Sequence, residues 1–253
     1  MDILKAYIKK IDKPGYLPWF VLGSGIVGLL LRYWLASSRE APSGLLAADH
    51  PAKVLLWILT AVVVAVVLWG TRNLKEAAKY SFNFPASAQG AIGCVFAALS
   101  MGITAVAEWI VYQDRLTVIT SVLGVLSATA LLFLAYNRYK GQRQSILYHA
   151  VVCLCLMFRL VSQYRHWSAN PQLMDYGFQL LATVCLMLAC YQNAAFDADT
   201  GNRKLHTIFH LGAVYFCCVS LLGSENVMFY LGCAVWMISN FCSLIPMPEQ
   251  EEL

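Results

Sequence analysis

The stretch CLCLMFRLVSQYRHW, residues 153–167, opens with six residues fit for hydrocarbon and then admits Arg159, with Arg165 and His166 close behind. Whether it is the core helix of a soluble domain or a membrane crossing decides the fold. With the residues upstream the run covers 146–166, close to the ~20 mostly apolar residues that a membrane-crossing helix needs. The totals choose between the two. Apolar residues fill 59% of 253 positions and charged residues 13%, with a mean hydropathy of +0.61. A soluble domain usually carries about 25% charged residues. That deficit is too large for a surface facing water, so the solvent is mostly lipid.

Seven further runs of the same kind flank this one. They lie near 16–36, 53–70, 88–112, 115–136, 173–196, 205–223 and 226–245. The tightest divisions are YQDR at 112–115 and GSEN at 223–226, each a short hairpin between two full-length runs. The expected fold is therefore an all-α polytopic bundle of about eight transmembrane helices.

Orientation follows from the basic residues. Lys5, Lys9, Lys10, Lys13, Arg72, Lys75, Lys79, Arg138, Lys140, Arg143, Arg203 and Lys204 would share one side, twelve of the eighteen in the chain. The positive-inside rule makes that side the cytoplasm and places both termini there. The same placement disposes of nucleic acid as a partner. A net charge of +4 is spread over short connections and forms no basic face interleaved with aromatics.

Three segments are expected. Residues 1–15 carry Ile3, Leu4, Tyr7, Ile8 and Ile11 at helical spacing opposite lysines, the pattern of a helix in the cytoplasmic headgroup layer. Residues 16–245 hold the eight spans, and 246–253 form a short acidic cytoplasmic tail. The first run, at about 20 residues, exceeds the 7–15 of a cleaved signal peptide and is expected to be retained. Compact loops suit a bacterial cytoplasmic membrane.

Several motifs resemble chemistry. GSGIVG, Gly23–Gly28, matches a dinucleotide fingerprint, but no strand precedes it, and close helix packing through small residues explains it better. Gly90, Gly93 and Ala97, then Gly124 and Ala128, are expected to be further contact faces. DADTGN, 197–202, departs from a calcium loop at Gly201 and Ile208 and is expected to be a cytoplasmic turn. HTIFH sets His206 and His210 on one helical face with His149 at similar depth. A held metal or haem is one reading, and histidines facing headgroups the plainer one. All nine cysteines fall within apolar runs and are expected to be packing residues. No cofactor, metal or catalytic residue is assigned.

Arg159 remains. Entering at Ile146, it lies ~20 Å along its helix, in the outer leaflet. A charge at mid-bilayer costs roughly 2.5–3.5 kcal/mol on insertion scales, less if it snorkels. Yet Arg159, Ser162, Gln163 and His166 share one helical face. Asp175, Gln179 and Thr183 form a stripe on the next span, and Ser100, Thr104 and Glu108 another on span three, while Arg32 ends span one. The cytoplasmic half is expected to be plainer. Polar faces in lipid-embedded helices turn toward one another or toward water. Arg32, Glu108, Arg159, Gln163, His166, Asp175 and Gln179 are thus candidate ligand-binding residues of an outward-facing pocket. The alternative is a set of structural ion pairs such as Glu108 with Arg159.

The function these observations favour is small-solute binding or transport within the lipid bilayer. The rivals are a non-catalytic accessory subunit joined to a membrane-protein partner, and an intramembrane enzyme acting on lipid-linked substrates. The enzyme reading rests only on the loop QYRHWSANPQLMDY, 163–176. A similar order of long and short connections in the two halves raises a four-plus-four repeat, though without residue identity to support it.

Overall fold

A computed structural model describes residues 15–37, 50–74, 77–111, 114–167, 173–222 and 226–245, with backbone alone at 166–167 and 173–175. The expected interfacial segment, but for Gly15, and the acidic tail lie outside these residues. Among the described residues all regular structure is helical: α1 (Leu17–Ser37), α2 (Pro51–Thr71), the single turn α3 (Tyr80–Asn83), α4 (Ala88–Val111), α5 (Arg115–Lys140), α6 (Ile146–Trp167), α7 (Leu173–Asp197), α8 (Arg203–Ser220) and α9 (Val227–Ser243). Each apolar run becomes one long helix. Six of them, α1, α2 and α4 to α7, are long and apolar enough to cross a membrane. This is the make-up of a multi-pass membrane protein.

Local chemistry sets the helix ends. Pro51 opens α2, where its missing N–H costs nothing, and His50 Nδ1 accepts from the Ala52 N–H at 3.2 Å. Asn202 caps α8 by accepting from the N–H groups of Lys204 and Leu205 at 2.9 and 3.2 Å. Gly141, at φ 66°, stops α5 in the left-handed conformation that glycine adopts most easily, and the Gln142 N–H returns to Asn137 O at 3.0 Å.

The helices pack as a closed ring in which α4, α5, α6, α7, α8 and α9 each touch the next and α9 returns to α4. The hairpin of α1 and α2 lies outside it against α8, fixed in part by a 2.9 Å hydrogen bond between Thr60 Oγ1 and the Tyr215 hydroxyl. So α8 is covered on both flanks, which explains how it carries Arg203, His206 and His210 with no exposure at all. Large apolar side chains such as Trp69, Ile110 and Leu147, each more than 70% exposed, cover the outer surface.

Small residues set the close crossings, as expected of the GSGIVG segment. A Cβ on Gly25 would stand 2.8 Å from Cys218 Cβ, and one on Gly28 2.7 Å from Val219 Cγ2, both on α8. The Gly93 and Gly124 faces are likewise occupied, by Ser239 and Ala105. No repeat is visible in the packing. The second half contributes four consecutive ring members, whereas α1 and α2 of the first half stand outside.

Candidate functional site

One end of the ring interior is built around Arg159. Its Nη2 donates to Glu108 Oε1 at 2.7 Å and its Nη1 to Oε2 at 3.3 Å. Glu108 belongs to α4 and Arg159 to α6, which are separated in the ring by α5, so the pair spans the interior. The Asn226 amide, at the start of α9, donates to the same Oε1 at 2.9 Å. The Phe229 ring lies under the guanidinium, 4.1 Å from Cζ to its centroid. That position gives a cation–π contact inside a low-dielectric site. Arg159 is 6% exposed, which removes snorkelling as its explanation: the charge faces protein.

One turn further along α6, Gln163 donates from Nε2 to the Tyr230 hydroxyl at 3.2 Å and accepts from Thr183 Oγ1 at 3.3 Å. Tyr230 sits on α9, directly across the ring from α6, so the interior is narrow at this level. Thr183 Oγ1 also lies 3.0 Å from Gln179 O, and the Gln179 side chain is 1% exposed. Of the seven residues expected from sequence, Glu108 and Arg159 meet directly, and Gln163 bonds the Thr183 hydroxyl, which also approaches the backbone carbonyl of Gln179. Arg32 is on α1, outside the ring at the same end, its Cζ 5.7 Å from the Phe178 ring centroid. The side chains of His166 and Asp175 lie outside the described residues. Sequence reasoning missed Asn226, Phe229 and Tyr230. Their i, i+3, i+4 spacing is present in the sequence, but Asn226 falls in the expected GSEN hairpin and nothing in an apolar run marks the two aromatics as facing a guanidinium.

The opposite end corrects the expectation of a plain cytoplasmic half. There Arg138, His149, Asn193, Asp197, Arg203, His206, His210 and Asn240 are all at most 5% exposed. The Arg138 guanidinium donates to the Tyr80 hydroxyl at 3.1 Å and to Asn240 Oδ1 at 3.3 Å, with its Cζ 4.1 Å from the Phe84 ring centroid. Arg203 Nη2 donates to Ile245 O at 2.9 Å. His149 Nε2 is paired with Asp197 Oδ2 at 3.0 Å.

His206 and His210 do not face headgroups. Their rings stack at 3.7 Å, His206 Nε2 bonds Asn193 Oδ1 at 3.2 Å, and His210 Nδ1 bonds His206 O at 2.7 Å. The physical reason is length. The helices α5 and α7 continue to Lys140 and Asp197, and the α3 turn with Phe84 folds beneath them, so residues assigned to connections become interior. DADTGN is a turn as expected, held by the Arg143–Asp199 ion pair at 3.2 Å and by the Tyr80 N–H donating to Asp199 Oδ1 at 3.0 Å. Among the described residues no group of three His, Cys, Asp or Glu is arranged to hold a metal ion.

Between the two polar ends the core is apolar and rich in sulfur. Met101, Cys155, Leu156, Leu186, Cys233 and Met237 are each at most 4% exposed. The ring is thus closed along its axis, with a buried ion pair at one end and a buried polar cluster at the other. Comparison of the chain with protein-family models, with curated proteins and with solved structures finds no match.

Proposed function

We propose that this chain is an eight-span protein of a bacterial cytoplasmic membrane, with both termini in the cytoplasm, that binds and transports a small anionic solute along the axis of its helical ring. The solute enters from the extracytoplasmic end, where Glu108, Arg159, Gln163 and Gln179 would line the entrance, with Arg32 beside it on α1 and His166 and Asp175 as its further expected residues. The observation that carries this reading is the Arg159–Glu108 pair. It lies inside the ring, with Gln163, Thr183 and Tyr230 one turn away, and the planar fork of Arg159 would accept a solute carboxylate or phosphate in place of Glu108. Freed of Arg159, Glu108 would still be held by Asn226. The closed ring is then the resting state, with the apolar middle as its barrier.

A second reading is supported by the same geometry. Both Glu108 oxygens are partnered, which also suits an accessory subunit whose charges only fix the bundle for a membrane-protein partner. Thermal unfolding of the purified protein with acetate, lactate, succinate, citrate and inorganic phosphate separates the two. Under the transport reading at least one anion raises the melting temperature saturably, and Arg159→Lys, which keeps the charge and loses the fork, abolishes the rise. Equal shifts in wild type and variant, or none with any anion, favour the accessory subunit.

A further inference from the structure

The contact between α6 and α7 contains a chain of four groups that the proposed solute entrance does not use. Asp197 Oδ2 pairs with His149 Nε2 at 3.0 Å. On the other face of the same imidazole, Nδ1 lies 3.7 Å from Cys190 Sγ, a hydrogen-bond distance for sulfur. A carboxylate on Nε2 fixes the tautomer with its hydrogen there, which leaves the Nδ1 lone pair facing the thiol. This is the order of groups that activates a nucleophile: thiol, base, and a carboxylate that orients the base.

A second thiol completes the arrangement. Cys153, one turn along α6 from His149, donates across the interface to Met187 O on α7 at 3.7 Å. Cys190 Sγ reaches in the other direction, lying 3.5 Å from His149 O on α6, a second acceptor beside Nδ1 for its one proton. The two side chains therefore cross at the α6–α7 contact, each sulfur reaching the backbone beside the other cysteine's helix turn. Cys190 is fully buried, whereas Cys153 is only half-buried, beside Leu154 and Met157, which are 41% and 44% exposed on the outer face of α6. One sulfur is thus shielded beside a base, and its partner lies on a residue nearer the outer face of α6.

We propose that Cys153 and Cys190 form a redox-active dithiol that a quinone dissolved in the bilayer oxidises to a disulfide, with His149 as proton acceptor and Asp197 as its positioning residue. The oxidant class follows from the location. A site entered from hydrocarbon excludes charged aqueous thiol reagents, and quinones are two-electron oxidants that dissolve there. The Cys153 sulfur bonds to the quinone ring, and His149 Nδ1 takes the Cys190 proton. The Cys190 thiolate then attacks the Cys153 sulfur. The S–S bond forms and the C–S bond breaks, its electron pair passing into the ring. Both thiol protons end on the quinone oxygens, that of Cys190 by way of His149, so two thiols and one quinone give one disulfide and one hydroquinone.

The test uses the full-length protein, reduced and reconstituted in phosphatidylglycerol–phosphatidylethanolamine vesicles, with decylubiquinone as the probe. Free thiols are blocked with N-ethylmaleimide and peptides mapped by mass spectrometry. The expected result is a single bridge, Cys153 to Cys190, with one hydroquinone formed per chain. Cys153→Ser and Cys190→Ser should each abolish both. His149→Gln should slow the quinone reaction roughly a hundredfold, the scale of a lost general base, while the small oxidant diamide still forms the same bridge. Four results overturn the proposal: no bridge with quinone while diamide forms one, no bridge with either, a bridge between other cysteines, or quinone consumption unchanged in the Cys153→Ser/Cys190→Ser double variant. An unchanged rate in His149→Gln overturns the assigned base.

Discussion

Arg159 and Glu108 meet as a two-pronged ion pair, Nη2 to Oε1 at 2.7 Å and Nη1 to Oε2 at 3.3 Å, with side chains only 8% and 14% exposed. They come from helices that are not neighbours, so the pair acts as a strut across the ring. Breaking one side of a buried pair typically costs about 3–5 kcal/mol, because the other charge is left uncompensated, whereas replacing both sides is often neutral. Arg159→Leu should therefore lower the melting temperature in detergent, and Arg159→Leu/Glu108→Leu should recover most of the loss. A melting temperature unchanged or raised by the single substitution would mean that the strut is not formed.

Asn226 should matter through Glu108 alone. Its amide reaches Oε1 at 2.9 Å, and a hydrogen bond to a charged group is worth about 1.5–3 kcal/mol. The loss expected for Asn226→Ala should shrink to near zero in a Glu108→Leu background, a coupling that thermal unfolding of the four proteins would measure. Equal losses in both backgrounds would mean that Asn226 acts only as the start of α9.

How much of this was legible depended on which physical signal carried it. The eight long helices could be read directly, since hydrocarbon thickness sets their length and Gly, Pro and Asn mark their ends. Arg159 facing protein, with Glu108 as its partner, was legible because a charge in lipid needs a reason. The contributions of Phe229 and Tyr230 were not, because an aromatic residue in an apolar run looks the same whether it faces lipid or a guanidinium. The buried inner cluster failed for a related cause. Arg138, Arg203 and Asp197 lie at helix ends, where one extra turn of helix or one loop folded beneath changes a headgroup charge into an interior one. The thiol pair needed the rotation of α6 against α7, which no periodicity fixes.

The crossing of α4 and α9 offers a steric test of the ring. A Cβ on Gly232 would lie 1.8 Å from Ser100 Oγ and 2.3 Å from Ser100 Cβ. Gly232→Ala should force the two helices apart and destabilise by about 1–3 kcal/mol, the usual cost of overpacking. Because the clash includes the Ser100 Cβ, Ser100→Ala should not rescue it, whereas Ser100→Gly should rescue it in part. Thermal unfolding of these variants distinguishes the outcomes. A harmless Gly232→Ala would mean that α4 and α9 are further apart than described.

The last prediction concerns how many helices cross. Six satisfy length and apolarity, while α8 and α9, at 18 and 17 residues, do not. Dropping both would leave the side of each terminus unchanged, so terminal tags cannot decide. The shortfall of α8 has a physical explanation in the ring. The first turns of α8 carry Arg203, His206, Thr207 and His210, all without exposure, so this helix meets other helices rather than lipid and need not be apolar throughout. If both cross, the turn between them opens to the extracytoplasmic side. In a cysteine-free background, Ser224→Cys should then react with a membrane-impermeant maleimide added to intact cells, as should Ser43→Cys and Ser168→Cys. Ala78→Cys, Gln142→Cys and Thr200→Cys should react only after the cells are opened. If Ser224→Cys is protected while Ser43→Cys and Ser168→Cys react, then α8 and α9 form a hairpin that enters and leaves from the cytoplasm, and the chain has six spans. If Ala78→Cys and Thr200→Cys react in intact cells instead, the orientation read from the basic residues is inverted.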